Sequence, residues 1–365
     1  MVLTRTTLLI LLVPAGMGKP LEQLCRSIPK TELHVHLEGS LQPNVVRKIA
    51  QRNGKLSELP PEAEMFASYE KYDSLEQFLE VYYQGASVLQ TKADFYDMTY
   101  DYIKRAAADG VVHIEPFLDL DSHTSNGVTP ATVLEGVGSA LADAERDFGV
   151  TSGLIVCFQR PRGVESALKS LDDLKPHIET ARIVGVGCDS DYVDDWPNLY
   201  KPAYEKAHAM GLKLVAHAGE VADGARSIDH MRDAIKVLGL DRVDHGVRAW
   251  EDPELLADVA KRGIPLTSCP LSNIKLGLFG DWPSCAKAYG TLIKAGAKVT
   301  INSDDPAFFG TIAENFVALQ QHLELSAEDV AALCKNAALG SFASEERKAA
   351  LCNSIDEAVK AYRTA

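Results

Sequence analysis

The chain has 365 residues, enough for one large domain or two ordinary ones at roughly 150 residues per domain. Its 37 Lys and Arg residues against 51 Asp and Glu leave a formal charge of −14, which argues against a nucleic-acid or anionic-membrane partner. The composition, 46% hydrophobic and 24% charged, excludes a largely disordered chain and is typical of a globular protein.

The start of the chain differs from the rest. A short apolar stretch follows a single basic residue there, and it is too short to span a bilayer and has no clear cleavage site. We therefore interpret residues 1–18 as a leader or a disordered extension and residues 19–365 as a single domain. The seven cysteines are scattered without a CxxC pair, which is typical of a reducing compartment. We expect a cytoplasmic protein, with targeting by the leader as the alternative.

Short apolar, β-branched runs alternate with longer segments of helical periodicity, which is the pattern of parallel βαβ units. Eight strands are predicted, at 32–37, 111–117, 153–158, 183–188, 212–217, 242–245, 264–268 and 298–301. Crossover helices are predicted between them, for example at 131–148, 202–210 and 253–262. Eight such units close into an α/β fold of the (β/α)8 TIM-barrel type, in which the carboxyl ends of all strands surround one mouth.

Two regions of the sequence lie outside the eight βα units that a barrel requires. The segment between the first two strands is nearly twice as long as the others, and we predict extra helices there at 43–52, 74–89 and 92–108. An insertion at that position lies over the mouth of the barrel, where lids belong. After the last strand, C-terminal closing helices are predicted at 311–323, 326–338 and 344–363.

Histidines concentrate at the predicted strand ends. Four of the ten lie there, namely His34, His36, His217 and His245. His34 and His36 are two residues apart in a strand, so their side chains point to the same face. Two imidazoles on one face can bind the same ion, such as Zn²⁺, through one nitrogen each. A pair of histidines that only form hydrogen bonds with neighbouring residues would have the same spacing.

Carboxylates complete this pattern. Glu220 follows His217 by three residues, and Gly219 allows the turn that returns Glu220 over the site. Asp304 and Asp305 end the last strand, where adjacent buried carboxylates need a cation or a proton to offset their repulsion. An Asp-Asp-Pro sequence taken alone is typical of a turn or a helix N-cap.

All these elements lie at the same end of the predicted barrel, so we predict a mononuclear metal site. The expected ligands are His34, His36, His217 and Asp304, with one position left for water. Three imidazoles and a carboxylate suit one catalytic Zn²⁺ per subunit, although iron or cobalt fits the same ligands.

Five segments follow one another along the chain: PKTELHVHLEGSL at 29–41, HAGE at 217–220, DHG at 244–246, SCPLSN at 268–273 and SDDP at 303–306. In this order they resemble the motifs of the adenosine/adenine deaminase family of the metal-dependent amidohydrolase superfamily. The resemblance extends from about residue 21 to 338. It implies a hydrolytic deaminase of a small purine, and purine salvage is the pathway we expect.

The resemblance also implies roles for three catalytic residues. Glu220 is similar to the acid that protonates purine N1, and His245 to the group that orients and deprotonates the attacking water. Asp305 is similar to the residue that holds the nucleophile and contacts N7. Because N1 must gain a proton as the ring loses aromaticity, we expect Glu220 to have a raised pKa.

Further residues favour the adenine deaminase branch of the family, which acts on the free base. Nucleoside deaminases typically have Asp where this chain has Glu38, and the longer side chain intrudes into the ribose space. Phe117 is expected to wall the purine pocket, and Asp189 and Ser190 to contact the N3/N9 edge. Two roles remain open for His123, namely gating of the pocket and contact with the edge of the substrate.

Several alternatives follow from the same sequence. The substrate could be adenosine or an N6-substituted adenine, and a neutral Asp/Glu exchange at position 38 would leave nucleoside binding intact. A binuclear amidohydrolase acting on a lactone or a phosphoester is a rival within the fold. A purine sensor without activity is a rival of another class. The sequence does not determine the oligomeric state.

Overall fold

The computed structural model describes residues 21–69, 75–220 and 224–364, so the predicted leader lies outside the described residues. The strands are β1 (Lys30–Glu32), β2 (Val111–Ile114), β3 (Phe117–Leu118), β4 (Thr151–Ser152), β5 (Leu154–Gln159), β6 (Ile183–Asp189), β7 (Lys213–Ala218), β8 (Arg242–His245), β9 (Pro265–Ser268) and β10 (Lys298–Ile301).

The helices are α1 (Leu21–Ser27), α2 (Pro43–Arg52), α3 (Glu62–Ser68), α4 (Leu75–Ala86), α5 (Lys92–Ala108), α6 (Leu120–Thr124), α7 (Pro130–Phe148), α8 (Val164–Leu174), α9 (Trp196–Ala209), α10 (Gly224–Asp233), α11 (Pro253–Arg262), α12 (Pro270–Lys275), α13 (Trp282–Lys294), α14 (Ile312–Leu323), α15 (Ala327–Gly340) and α16 (Glu345–Thr364).

The strands form a parallel array in chain order. One run has the order β10-β9-β8-β7-β6-β5-β3, and a shorter run has the order β1-β2-β4. Every strand pair is parallel, as expected when a crossover helix joins each strand to the next. All strands therefore end at the same side of the array.

Backbone hydrogen bonds beyond β1 close the array into a ring. The N–H of His36 donates to the carbonyl of Asp304 at 2.9 Å, and the N–H of Asp304 donates to the carbonyl of His34 at 3.0 Å. On the other side, the N–H of Phe117 donates to the carbonyl of Val35 at 2.8 Å. The segment after β1 thus joins the last strand to the second, and the predicted (β/α)8 barrel is confirmed.

The first two predicted strands are shorter than expected. Strand structure ends at Glu32, and residues 33–36 continue only as isolated bridges to Asp304 and Phe117. The second strand divides into β2 and β3 around Pro116, which has no N–H to donate to a neighbouring strand. These interruptions lie at the mouth, where the chain turns its side chains inward.

The insertion after β1 is larger than predicted, because it includes α3 in addition to the three predicted helices. The crossover helix α9 begins at Trp196, earlier than predicted, with Pro202 inside it. The three closing helices are confirmed as α14, α15 and α16. Among the described residues, no helix has the length and apolar character needed to cross a bilayer.

One hydrophobic cluster of buried residues extends from Leu24 to Val359 and joins the barrel to its surrounding helices. A smaller cluster of Phe117, Ile155, Cys157 and Val215 fills the inside of the barrel. It forms an apolar floor, so polar side chains at the strand ends lie above a dry interior.

Candidate metal centre and active site

Four side chains from three strand ends converge at the mouth of the barrel. His34 and His36 follow β1, His217 lies in β7, and Asp304 follows β10. All four are at most 7% exposed. These residues, far apart in the sequence, thus lie together at one end of the barrel in the structure.

Short distances connect the members of the group. His34 Nε2 lies 3.1 Å from Asp304 Oδ1, and His36 Nε2 lies 3.6 Å from the same oxygen. His36 Nε2 also lies 3.1 Å from His217 Nε2. Nitrogen and oxygen atoms of His34, His217, His245 and Asp304 all lie within 4.8 Å of one another, whereas His36 meets this criterion with Asp119 and Asp189. Three of the four predicted ligands are thus close enough together to hold a single ion, and His36 adjoins them through His217.

The outer nitrogen of His34 is fixed by a neighbouring strand. His34 Nδ1 lies 2.9 Å from the Thr267 carbonyl oxygen, which can only accept, so Nδ1 carries the proton. Its Nε2 then presents a lone pair to the centre of the group. Thr267 also donates its hydroxyl to Asp244 at 2.8 Å, and Asp244 lies 3.8 Å from His217 Nδ1.

The protonation states fit a divalent cation. Burial lowers the pKa of His34, His36 and His217, which favours neutral imidazoles. Burial alone would raise the pKa of Asp304, but the nearby His34 and His245 outweigh it and hold the pKa below its ordinary value. In addition, the buried Nε2 of His34 has no hydrogen-bond partner among the described residues. Neutral imidazoles beside a carboxylate are the forms that bind metal.

Glu220 and His245 form a pair beside this group. His245 Nε2 lies 2.7 Å from Glu220 Oε2 and 3.9 Å from Asp304 Oδ2. Burial opposes the charged form of His245, but the carboxylates of Glu220 and Asp304 prevail and raise its pKa to about 9. The two side chains are thus placed to exchange a proton.

The expectation of a raised pKa for Glu220 is wrong for this structure. Burial alone would raise it, but the positive charge and hydrogen bond of His245 prevail, with help from Arg160, and the pKa is lowered. Arg160 Nη2 lies 3.5 Å from Glu220 Oε1. The sequence did not reveal that two cationic groups would flank this carboxylate.

Three residues of the site adopt left-handed backbone conformations that are uncommon outside glycine. Their φ angles are 67° at Ser190, 62° at His245 and 65° at Asp304. Such conformations cost free energy and persist only where surrounding contacts enforce them, and they concentrate at functional sites. At Asp304, the turn that follows the strand also carries Asp305 into the cleft.

The SCPLSN segment supports His245. Ser268 donates its hydroxyl to the His245 carbonyl at 2.7 Å, and Asn273 Nδ2 lies 3.4 Å from His245 Nδ1. Tyr289 in turn donates to Asn273 Oδ1 at 3.0 Å. The segment therefore acts on the site by holding the backbone and ring of His245.

A cleft of about 470 Å³ opens over the group. Phe78, Tyr82 and Tyr83 on α4 line it, so the inserted helices supply its aromatic wall, as their predicted position over the mouth implies. The cleft therefore places aromatic side chains directly beside the polar group.

The predicted substrate residues divide into two sets. Asp189, Ser190 and Asp305 line the cleft. Phe117 and Glu38 are not among the described residues that line it. Phe117 packs in the small buried cluster beneath the imidazoles instead.

The surroundings of Phe117 and Glu38 show what they contact. The Phe117 ring lies 5.0 Å from that of His34 and 5.1 Å from that of His36. Glu38 Oε1 accepts hydrogen bonds from the Asp119 N–H at 3.0 Å and from His123 Nε2 at 2.8 Å. His123 therefore forms a hydrogen bond with Glu38, and it is not among the described residues that line the cleft.

The Asp305 side chain is buried and closely packed against the backbone of Gly39. Burial and the charge of Asp304 raise its pKa well above the ordinary value. A Cβ atom at Gly39 would lie 1.7 Å from Asp305 Oδ1, so only glycine permits this approach. The glycine of the first motif is thus explained by contact with the carboxylate that follows the last strand.

Sequence reasoning missed several residues of the site. Asp119 lines the cleft directly after the interrupted second strand, and Tyr82 and Tyr83 line it from α4. Arg160 is buried beside the site and donates to the carbonyl of His217 at 2.9 Å. The one usable signal was the position of Asp119 at a strand end, because the other contacts depend on helix orientation.

The comparisons with known proteins agree with this geometry. A family model described as adenosine deaminase matches residues 29–358. An adenine deaminase from Bordetella avium is 43% identical over 312 residues, which cover 85% of this chain and 96% of that protein. The structure of an adenine deaminase from Arthrobacter aurescens has a TM-score of 0.85 and 40% identity, covering 92% of this chain and 100% of that chain.

A further structure, of an amidohydrolase from Burkholderia ambifaria with bound Zn, has a TM-score of 0.84 and 26% identity, covering 96% of this chain and 97% of that chain. A (β/α)8 barrel with imidazoles and a carboxylate gathered at its mouth defines the class of metal-dependent amidohydrolases. Within that class, the chain belongs to the adenosine deaminase family. The predicted resemblance, including that to the adenine deaminase branch, is confirmed.

Proposed function

We propose that this protein is a deaminase that converts adenine and water to hypoxanthine and ammonia. The observation that carries the proposal is the convergence of His34, His36, His217 and Asp304 beside the Glu220–His245 pair at the floor of a small cleft. The relatives named adenine deaminase match nearly the full length of the chain, which supports the free base as the substrate. We also propose that residues 19–365 act as one domain.

We propose Zn²⁺ as the resident metal ion, one per subunit, with His34, His36, His217 and Asp304 as its ligands. Nitrogen and carboxylate donors suit zinc, although iron or cobalt can use the same set. When bound, zinc acts as a Lewis acid and lowers the pKa of water from 15.7 to roughly 7, which supplies a nucleophile at neutral pH.

The Glu220–His245 pair moves the protons. The proton that His245 shares with Glu220 passes to N1, so that the ring nitrogen takes the electron pair displaced from the C6–N1 double bond. His245, neutral after this transfer, then accepts a proton from the attacking water as the oxygen bonds to C6 of the purine. The 2.7 Å contact between the two side chains lets a proton pass within the pair.

Breaking the bond from C6 to the amino nitrogen completes the reaction. The C6 hydroxyl gives up its remaining proton, which the departing nitrogen takes as it leaves as ammonia, and the C6 oxygen becomes the carbonyl of hypoxanthine. Asp305 lies beside the metal group and is placed to orient the nucleophile and to contact N7. Asp189 and Ser190 line the same cleft and are proposed to meet the N3/N9 edge.

The direct test is product formation from adenine by the zinc-loaded protein. We expect hypoxanthine and ammonia in equal amounts. The Glu220→Gln variant should retain its zinc and lose turnover by about 10²–10⁴-fold, the usual contribution of general acid–base catalysis. Glu205→Gln on the exposed face of α9 is the matched control and should behave as wild type.

Two results would count against parts of this account. If the zinc-loaded wild-type protein releases no ammonia from adenine, adenine is not its substrate. A Glu220→Gln variant with near wild-type turnover would remove Glu220 from the mechanism and leave the substrate unchanged.

A further inference from the structure

One wall of the cleft presents carboxylate oxygens that accept no hydrogen bond from the described residues. Asp119 and Asp189 are each 2% exposed and line the cleft. Asp119 Oδ1 and both oxygens of Asp189 have no hydrogen-bond partner among the described residues. Because buried carboxylate oxygens are costly without donors, this wall calls for donors on the ligand.

The other oxygen of Asp119 is already held. Asp119 Oδ2 accepts hydrogen bonds from the Tyr83 hydroxyl at 3.3 Å and from Gln159 Nε2 at 3.2 Å. Gln159 Nε2 also lies 2.6 Å from the Tyr83 hydroxyl oxygen, which ties the two donors together. These contacts fix the carboxylate plane and leave Oδ1 as the atom without a protein partner.

The backbone of Asp119 is fixed as well. Its N–H donates to Glu38 Oε1 at 3.0 Å, and His123 Nε2 lies 2.8 Å from the same oxygen. Glu38 and His123 are 1% and 2% exposed. Glu38 is thus a positioning residue for the turn that carries Asp119, since it is not among the described residues that line the cleft.

The acidic wall lies on the Nδ1 side of His36. Asp189 Oδ2 is 3.8 Å from His36 Nδ1, whereas Asp304 Oδ1 is 3.6 Å from His36 Nε2. The orientation proposed for the reaction, with C6 and N7 toward the metal group and Asp305, leaves the N3 and N9 edge of the purine for this wall.

The chemistry of that edge differs between a free base and a nucleoside. A free purine with an unprotonated N7 carries its imidazole proton on N9, whereas a nucleoside has a sugar carbon there and no proton to donate. We propose that Asp119 selects the free base by accepting a hydrogen bond from N9–H at Oδ1, with Glu38 and His123 positioning it. This inference rests on the proposed function, because the orientation of the purine follows from the reaction.

The expected discrimination is large. A site built to bond a substrate N–H rejects an analogue that lacks it by about 10⁴–10⁵-fold, because its buried polar groups then stay unpaired. Substitution at N9 also adds bulk against two buried carboxylates, which is a repulsive element in addition to the lost contact. Both effects depend on Asp119 and neither depends on the metal ligands.

The test compares adenine with 9-methyladenine, which lacks only the N9 proton and adds one methyl group. We expect the zinc-loaded wild type to favour adenine in kcat/KM by at least about 10²-fold. In Asp119→Asn, kcat/KM for adenine should fall by at least about 10²-fold while that for 9-methyladenine changes less than about tenfold. The preference then largely disappears.

Asp121→Asn is the matched control. Asp121 is 3% exposed on α6, two residues from Asp119, and accepts hydrogen bonds from Ser166 and Ser170. It is not among the described residues that line the cleft. This variant should keep the wild-type preference for adenine over 9-methyladenine.

The outcomes separate this inference from the proposed function. If the wild-type protein deaminates adenine and 9-methyladenine equally well, the proposed role of Asp119 is wrong and the proposed function still stands. This comparison uses only the wild-type protein, so it does not depend on whether a variant folds. Full adenine activity in Asp119→Asn also overturns the proposed role of Asp119. Two metal ions per chain would do the same, because His36, Asp119 and Asp189 would then hold a second cation. A zinc-loaded wild type inactive on adenine contradicts the proposed function itself.

Discussion

The glycine of the first motif offers a sharp test of the site geometry. In the structure, a Cβ atom at Gly39 would lie 1.7 Å from Asp305 Oδ1, 2.5 Å from Asp305 Cγ and 2.8 Å from Asp305 Cβ. Three atoms of one side chain occupy the space that a methyl group would fill. The Gly39→Ala substitution therefore acts first on Asp305, which supplies the three nearest atoms among the described residues.

The size of the effect follows from the distances. Ordinary contacts of a Cβ atom begin at 3.4 Å, so Asp305 Oδ1 must move by about 1.7 Å to admit the methyl group. A misplacement of about 1 Å can cost 10²-fold in rate. We therefore expect kcat/KM for adenine to fall by at least about 100-fold, which corresponds to about 2.7 kcal/mol of transition-state stabilisation.

The assay is adenine deamination by Gly39→Ala, with bound zinc and the thermal midpoint measured on the same sample. Retained zinc and a folded protein would show that the loss arises at Asp305. Gly280→Ala is the matched control, because no atom lies within 4 Å of its added Cβ. A Gly39→Ala enzyme with kcat/KM within about threefold of wild type would refute the placement of Asp305.

Three further predictions concern metal and stability. Removing divalent metal with a chelator should abolish deamination and lower the thermal midpoint, and one equivalent of Zn²⁺ should restore both; full activity without metal would contradict the metal centre. Glu115 forms a buried ion pair with Arg242, so Glu115→Gln should lower the free energy of unfolding by about 3–5 kcal/mol in denaturant titration, and an unchanged midpoint would exclude this contribution. Burial opposes the charge of Glu115, but Arg242 prevails and holds its pKa below the ordinary value. This stabilisation should therefore be present above the unfolded pKa of about 4.3 and be lost as pH falls through the folded value, a loss that Glu115→Gln should not show.

The strand-end chemistry could be predicted from the sequence because it is local. The spacing of His34 and His36 fixes their common face, and the parallel barrel brings His217 and Asp304 to the same mouth. These inferences need only the strand period and the direction of the chain. The closure of the ring at residues 33–36, by contrast, depends on single hydrogen bonds that no periodicity reveals.

The walls of the cleft could not be predicted in the same way. Phe117 was expected in the purine pocket, but its ring lies beneath the imidazoles, in the buried cluster inside the barrel. Glu38 was expected near the ribose space, and it bonds instead to His123 and to the backbone of Asp119. Contacts between residues about eighty positions apart depend on how the inserted helices pack, which the local pattern does not encode.

The electrostatics of Glu220 show the same limit. Its chemistry suggested a raised pKa, but the partner that decides the direction, His245, had been assigned a separate role. Only the 2.7 Å distance shows that the two form one proton-carrying pair. The pKa values observed in a titration therefore describe the Glu220–His245 pair as a unit and cannot be assigned to one residue.

The central claim is that the zinc-loaded protein deaminates a free purine base. The most direct measurement is kcat/KM for adenine and for adenosine, determined side by side on one preparation with measured zinc content. We predict that the value for adenine exceeds that for adenosine. A higher value for adenosine would contradict the account.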